Sequence, residues 1–106
     1  MITHDALVAA MYDAMRTAAI ALPPDVETAL HAALAEETDP LARQHLEVSF
    51  ENFRLASEGQ GLVCGDTGYP LYFVTAGPGT SVEGGFGSLQ QAAEEATARC
   101  TADAYL

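Results

Sequence analysis

The stretch GQGLVCGDTGYPLYFVT, residues 59–75, separates two parts of the sequence that have different local patterns. Before it, apolar residues recur at the three- and four-residue spacing that is typical of helices. Within it, glycines surround a short apolar run, and residues 69–75 are rich in the aromatic and β-branched residues that favour strands. The stretch therefore predicts a short β-hairpin, with a strand at 60–64, a tight glycine turn at 65–68 and a second strand at 69–75.

Three helices are predicted before this hairpin, at about residues 4–21, 24–37 and 40–57. The pair Pro23-Pro24 ends the first helix, and a proline at a first helical position favours the start of the next one. Asp39 is predicted to cap the third helix, with Pro40 in its first turn. The apolar faces are predicted to contain Leu7, Met11, Met15 and Leu22 in the first helix, Val26, Leu30, Ala33 and Leu34 in the second, and Leu46, Phe50 and Phe53 in the third.

A glycine-rich loop at residues 77–87 and a fourth helix follow the hairpin. The S-x-x-Q pattern from Ser88 to Gln91 is typical of a capping box, and it predicts a helix from Ser88 to about Ala104. The predicted fold class is α+β, with three N-terminal helices, a short β-hairpin and a C-terminal helix in a single domain over residues 1–106. The inner face of the fourth helix is predicted to consist of Leu89, Ala92, Ala93, Ala96 and Cys100.

The charge is strongly unbalanced, since fifteen acidic residues oppose four basic ones and the net charge is −11 at pH 7. Such a surface repels phosphate backbones and anionic lipids, so we expect no nucleic-acid partner and no membrane partner. Two cysteines are too few for a disulfide framework, and no apolar run has the length of a signal peptide or a membrane span. We therefore expect a cytoplasmic protein with reduced thiols.

The densest group of chemically special residues is Cys64-Gly65-Asp66-Thr67-Gly68. A thiol followed by a turn with a carboxylate and a hydroxyl offers three ligand types close to exposed backbone amides. From spacing alone, two interpretations stay open. The group is either a ligand-binding loop, or a buried cysteine that closes a strand beside an aspartate that caps its own turn. The histidines have no metal-binding spacing, and two cysteines without a nearby histidine form an incomplete zinc set.

Five segments of the chain carry a resemblance to a known family: LPPDV at 22–26, the helical run 46–56, VCGDTG at 63–68, the Phe73-Val74 run, and the closing residues 96–106. Together they resemble the N-terminal part of the iron-sulfur hydro-lyases, which are the class I fumarate hydratases and the alpha subunits of L(+)-tartrate dehydratase. In that family the central motif is P-x-C-Q-D-T-G. The resemblance covers nearly the whole chain, and the C-x-D-T-G motif is its most specific part.

This resemblance implies a 4Fe-4S cluster held by three cysteines, with an open iron position that binds the substrate's hydroxyl and carboxylate. It implies that Cys64 is the first cluster ligand and that Asp66 contacts the substrate, while Thr67 and Gly68 form the turn. Gly65 replaces the family's glutamine, which removes a side-chain amide next to the substrate. The implied reaction adds or removes water in a small hydroxy-dicarboxylic acid of the fumarate/malate or tartrate type. The resemblance assigns no residue of this chain as the catalytic base.

The family's alpha region is more than twice as long as this chain, and its other two cluster cysteines lie beyond the resembling part. Cys100 matches neither of them. We therefore expect a fragment or partial subunit that is inactive alone and acts with the remaining alpha region and a beta subunit or domain. Two other functions stay open, a non-enzymatic helical interaction or regulatory module that retains the scaffold, and a redox thiol at Cys64 activated by turn amides.

Overall fold

The structure is a computed structural model that describes residues 1–65 and 68–106. The chain forms two compact units, residues 1–17 with 68–106, and residues 18–65. The prediction of a single domain over the whole chain stays a prediction. The helices are α1 (His4–Ile20), α2 (Pro24–Glu36), α3 (Pro40–Ser57) and α4 (Leu89–Ala102), with a one-turn 3-10 helix (Phe86–Ser88) directly before α4.

The helix boundaries follow the capping signals of the sequence. The Asp39 carboxylate accepts hydrogen bonds from the backbone N–H groups of Leu41, at 2.9 Å, and Ala42, at 3.0 Å, which confirms it as the cap of α3. At the other end of α3, Gly59 has a φ of +77°, a conformation that side chains with a Cβ rarely adopt. Gly59 therefore lets the chain turn away just after α3 ends at Ser57.

In the unit of residues 18–65, α2 packs against α3. The His31 ring stacks on Phe50 with 4.2 Å between ring centroids, and Arg43 donates to the carbonyl of Leu34 at 2.7 Å. The apolar face predicted for α2 is more exposed than predicted. No residue of α2 is buried, and Val26 is 40% exposed. Aromatic stacking and hydrogen bonds therefore connect α2 to α3.

In the other unit, side chains of α1 and α4 form one small apolar core. Val8, Met11, Ala92 and Ala96 are its buried members. The predicted small-residue face of α4 is confirmed, since Ala92, Ala96 and Cys100 have no exposed surface. Val8 lies outside the predicted stripe of α1 and yet is completely buried. The small Ala92 and Ala96 of α4 thus share this core with the larger Val8 and Met11 of α1, and water is excluded from it.

The N-terminus is tied to the glycine-rich loop by an isolated parallel β-bridge between Ile2 and Val82. The Ile2 N–H donates to the Ser81 carbonyl and the Glu83 N–H donates to the Ile2 carbonyl, each at 2.9 Å. The predicted capping box is wrong, because the Ser88 hydroxyl makes no cap bond to α4 and instead donates to loop carbonyls. These bonds give the loop a defined path into α4.

The predicted β-hairpin is wrong, and with it the α+β fold class: the described residues, 1–65 and 68–106, contain helices and one isolated bridge but no strand. Residues 62–63 satisfy their backbone groups with helices instead of a neighbouring strand. The Val63 N–H donates to the Ala19 carbonyl at 2.8 Å, and the Asn52 amide donates to the carbonyls of Leu62 and Val63. Strand propensity without a pairing partner does not make a strand.

None of the helices in the described ranges is long and apolar enough to cross a membrane.

Candidate functional site

Cys64 lies just after α3, on a loop that two helices hold in place. The Asn52 Nδ2 donates to the carbonyl of Leu62 at 3.2 Å and to that of Val63 at 3.3 Å. The 2.8 Å bond from the Val63 N–H to the Ala19 carbonyl attaches the same loop to the end of α1. Cys64 itself is a free, exposed cysteine. Its thiol is therefore presented to solvent from an anchored backbone, and it is not the buried strand-closing residue of the second interpretation.

The residues that follow Cys64 are described only in part. Asp66 and Thr67 lie outside the described residues, so the substrate contact predicted for Asp66 stays a prediction. Gly65 is exposed, and a Cβ placed on it would meet no described atom within 4 Å. A small side chain at position 65 would therefore meet no described atom.

Cys100 has the opposite environment from Cys64. It has no exposed surface, and its Sγ lies 3.8 Å from the Tyr12 carbonyl oxygen. Burial, followed by the negative charge of Asp103, raises the pKa of the Cys100 thiol. A thiol that is buried and held protonated is unsuited to bind a metal, because the ligand is the thiolate. Cys100 is thus a core residue, as its place on the α4 face predicts.

Of the two cysteines, only Cys64 is therefore available as a metal ligand. Among residues 1–65 and 68–106, no three histidine, cysteine, aspartate or glutamate side chains are grouped so that they could hold a metal ion. The accessible thiol of Cys64 fits one ligand of an iron-sulfur cluster, and no further ligands are grouped with it among the described residues.

Two clusters of polar side chains lie on the unit that contains α4. The Tyr12 hydroxyl donates to Asp103, and this bond, together with burial and the Asp103 charge, raises the pKa of Tyr12 to about 12. Glu95 accepts from Arg99 and lies 3.0 Å from His4 Nε2, and the hydrogen bond with His4, followed by that with Arg99, lowers the pKa of Glu95. Both clusters link residues near the start of the chain to residues of or just after α4, and we assign them a stabilising role.

Asn52 is the residue at this site whose role sequence reasoning missed. In the sequence, Asn52 lies within the run 46–56 that contributes to the family resemblance. The sequence does contain one signal for its role. Asparagine has a low helix propensity, so an asparagine inside a helix indicates a side chain that forms a hydrogen bond outside that helix. The partner carbonyls, ten and eleven residues further along the chain, are visible only in the fold.

Comparison with known proteins agrees with the resemblance that the sequence carries. The family model of fumarate hydratase (Fumerase) matches residues 8–106. The putative L(+)-tartrate dehydratase subunit alpha of Methanocaldococcus jannaschii is 40% identical over 62 residues, which are 58% of this chain and 22% of that protein. The match thus spans about a fifth of the length of this curated relative. No solved structure matches the chain. With a family match that extends over residues 8–106, the resemblance is confirmed, and the chain belongs to the fumarate hydratase family.

Proposed function

We propose that this chain forms the N-terminal part of the alpha region of a 4Fe-4S hydro-lyase, which adds or removes water in a small hydroxy-dicarboxylic acid. Membership of the fumarate hydratase family supports the reaction class. The name of the relative, an L(+)-tartrate dehydratase alpha subunit, supports a substrate of the fumarate/malate or tartrate type and a complementary beta subunit or domain. The observation that carries the proposal is the exposed thiol of Cys64 at the start of the C-x-D-T-G motif.

Cys64 is the residue of this chain that would hold the cluster, and other polypeptide would supply the remaining ligands. When bound, such a cluster supplies a Lewis-acidic iron with an open position that polarises the substrate hydroxyl. Asp66 would contact the substrate. Asn52 would hold the backbone before Cys64, so that the thiolate does not have to be ordered at the moment of binding. The proposal assigns no residue of this chain as the catalytic base.

The test is anaerobic iron-sulfur reconstitution of the purified chain, alone and mixed with the polypeptide that carries the remaining alpha region. The readouts are visible charge-transfer absorption, the amounts of iron and sulfide, and hydration of fumarate. We expect a cluster in the mixture, and we expect Cys64→Ser to abolish both cluster and turnover, because serine does not replace a thiolate ligand of iron.

The matched control is Cys100→Ala, since Cys100 is buried and its thiol points into the core. This variant should keep the cluster in the mixture. If the wild-type mixture is well folded and holds no cluster, or if Cys64→Ser retains it, the proposal is wrong. The non-enzymatic interaction module would then explain the retained scaffold.

Gly65→Gln tests the role of the motif's second position. A Cβ at position 65 meets no described atom within 4 Å, so we expect the variant to fold like the wild type. If Gly65 limits substrate binding, the glutamine amide lowers the KM of the assembled enzyme, with little change in cluster content. An unchanged KM would show that this chain's assembly does not use that position for its substrate.

A further inference from the structure

An exposed apolar run, residues 69–74, follows the motif and is referred to here as the 69–74 segment. Tyr69 is 96% exposed, Leu71 76% and Phe73 93%. The residues between them, Pro70 and Tyr72, are half-buried. Over residues 69–73 the exposure therefore alternates, which is the pattern of a strand with one face packed and one face bare, whereas Val74 is 54% exposed and does not continue it.

The inner side of the 69–74 segment is fixed to the unit that contains α4. The Tyr72 hydroxyl lies 3.2 Å from Thr97 Oγ1, and the Tyr72 ring packs against the apolar core. The outer side has no such support. Within the described residues, the 69–74 segment makes no backbone–backbone hydrogen bond. A run of unpaired backbone groups beside bare aromatic side chains is a template for a further strand.

A groove of about 780 Å³ runs between this segment and α4. Its apolar lining includes Leu71, Val74, Leu89 and Ala93. Gln90 and Glu94 also line it, and the Gln90 amide donates to the Glu94 carboxylate at 2.8 Å. The surface therefore combines an apolar floor with a negative charge.

The charges on the chain favour a different polypeptide over a second copy as the occupant. The 69–74 segment has no charged residue, so the groove's own carboxylate and the net charge of −11 set the local field. A second copy would carry the same net charge of −11 and the same groove carboxylate, and like charges oppose such an association. A strand flanked by Lys or Arg would meet an attractive field.

We propose that the 69–74 segment and its groove dock an extended, apolar, Lys- or Arg-flanked strand of the remaining hydro-lyase alpha region, an inference that rests on the proposed function. The family match makes this occupant specific, because the aligned residues are only 22% of the relative's length and the relative has most of its chain available to cover this surface. Backbone pairing would supply affinity, and the exposed side chains of the segment would supply the apolar anchors.

The experiment places a photo-crosslinking benzoylphenylalanine at position 73 in the full chain, expressed in its own host, and identifies the adduct by mass spectrometry. The matched control carries the same group at Val48, which is 63% exposed on α3. We expect position 73 to capture the polypeptide that carries the remaining alpha region and position 48 not to capture it. An adduct with a second copy, an adduct with an unrelated protein, or no adduct at position 73 overturns the proposal.

A second measurement uses Phe73→Asp and Val48→Asp in the complex. Loss of a buried aromatic anchor weakens an interface by about 30-fold or more, so Phe73→Asp should weaken assembly by that factor while Val48→Asp leaves it unchanged. If both variants assemble like the wild type and the cluster forms, the docking surface is wrong and the proposed function stands. If no cluster forms in the wild-type complex, the proposed function fails whatever Phe73 contacts.

Discussion

At the scale of single residues, Asn52 links the helical part of the chain to the loop that carries Cys64. Its amide donates to two consecutive carbonyls, of Leu62 and Val63, directly before the cysteine. The bonds are on the surface, so each adds a modest stabilisation. Their larger effect is positional, because they remove freedom from a thiol that must meet its metal at a defined place.

We expect Asn52→Ala to lower the free energy of unfolding by about 0.5–1.5 kcal/mol, the usual net contribution of such hydrogen bonds. Amide exchange at Val63 should also accelerate, because the loop loses its attachment to α3. Urea unfolding and hydrogen exchange measure the two effects. Ser49→Ala is the control, since the Ser49 hydroxyl bonds only one turn back, to the His45 carbonyl at 2.9 Å. Equal exchange at Val63 in both variants would contradict the anchoring role.

Glu95 makes stability depend on pH at this same scale. Its hydrogen bonds with His4 and Arg99 lower its pKa in the folded chain below the ordinary value of 4.5. A carboxylate with a lowered folded pKa contributes stability that is fully present above the unfolded pKa and is lost as pH falls through the folded pKa. The contribution of Glu95 should therefore disappear as the solution is acidified below about pH 4.5.

Thermal unfolding between pH 3 and pH 7 measures this dependence. Glu95→Gln should lower the melting temperature at neutral pH and flatten the acid side of the profile. The control is Glu94→Gln, because the Glu94 carboxylate bonds the uncharged amide of Gln90. The assignment is wrong if Glu95→Gln keeps the wild-type slope below pH 4.5.

At the scale of elements, local signals decide the helices and tertiary contacts decide the rest. Proline at a first position and a cap such as Asp39 act within one turn, so all four helices were predicted with ends within a few residues of the structure. The hairpin failed because a strand needs a partner, and the polar groups of Val63 bond to Ala19 and Asn52 instead. The motif left open whether Cys64 is exposed or buried, and both its exposure and its support by Asn52 depend on contacts that no local pattern encodes.

The cap of α3 provides the prediction that belongs to this scale. Asp39→Ala removes an acceptor for the N–H groups of Leu41 and Ala42 and should lower the free energy of unfolding by about 0.5–2 kcal/mol. Urea denaturation followed by far-ultraviolet circular dichroism measures this loss. Thr38→Ala, one residue earlier, changes a side chain outside the cap and should have a much smaller effect. Similar losses in the two variants would show that the cap is not the stabilising feature.

At the scale of the whole molecule, the net charge of −11 opposes the compact state. The four arginines already have partners: Arg54 bonds Glu51 and Glu58, Arg99 bonds Glu95, Arg43 bonds carbonyls near the end of α2, and Arg16 bonds Tyr105. The carboxylates outnumber these arginines, and dissolved ions screen the repulsion among exposed charges beyond about 10 Å at 0.1 M salt.

We expect the melting temperature to rise by several degrees between low salt and about 0.5 M NaCl, because screening relieves repulsion among the unpaired carboxylates more than it weakens the surface ion pairs. Calorimetry across a salt series measures this response. Glu36→Gln, on the exposed end of α2, removes one negative charge and should reduce the salt response. A melting temperature that falls with added salt would show that the ion pairs dominate.

The contrast between the two cysteines allows the native protein to be labelled at a single site. Cys64 is open to solvent and Cys100 has no exposed surface. A maleimide fluorophore should therefore attach at one known position in the folded chain, without removal of any cysteine, and at a second position only after denaturation. A dye placed in this way reports directly on the loop before the C-x-D-T-G motif. Protection of the same thiol from the maleimide, by iron or by an assembling subunit, becomes a stoichiometric assay for occupancy.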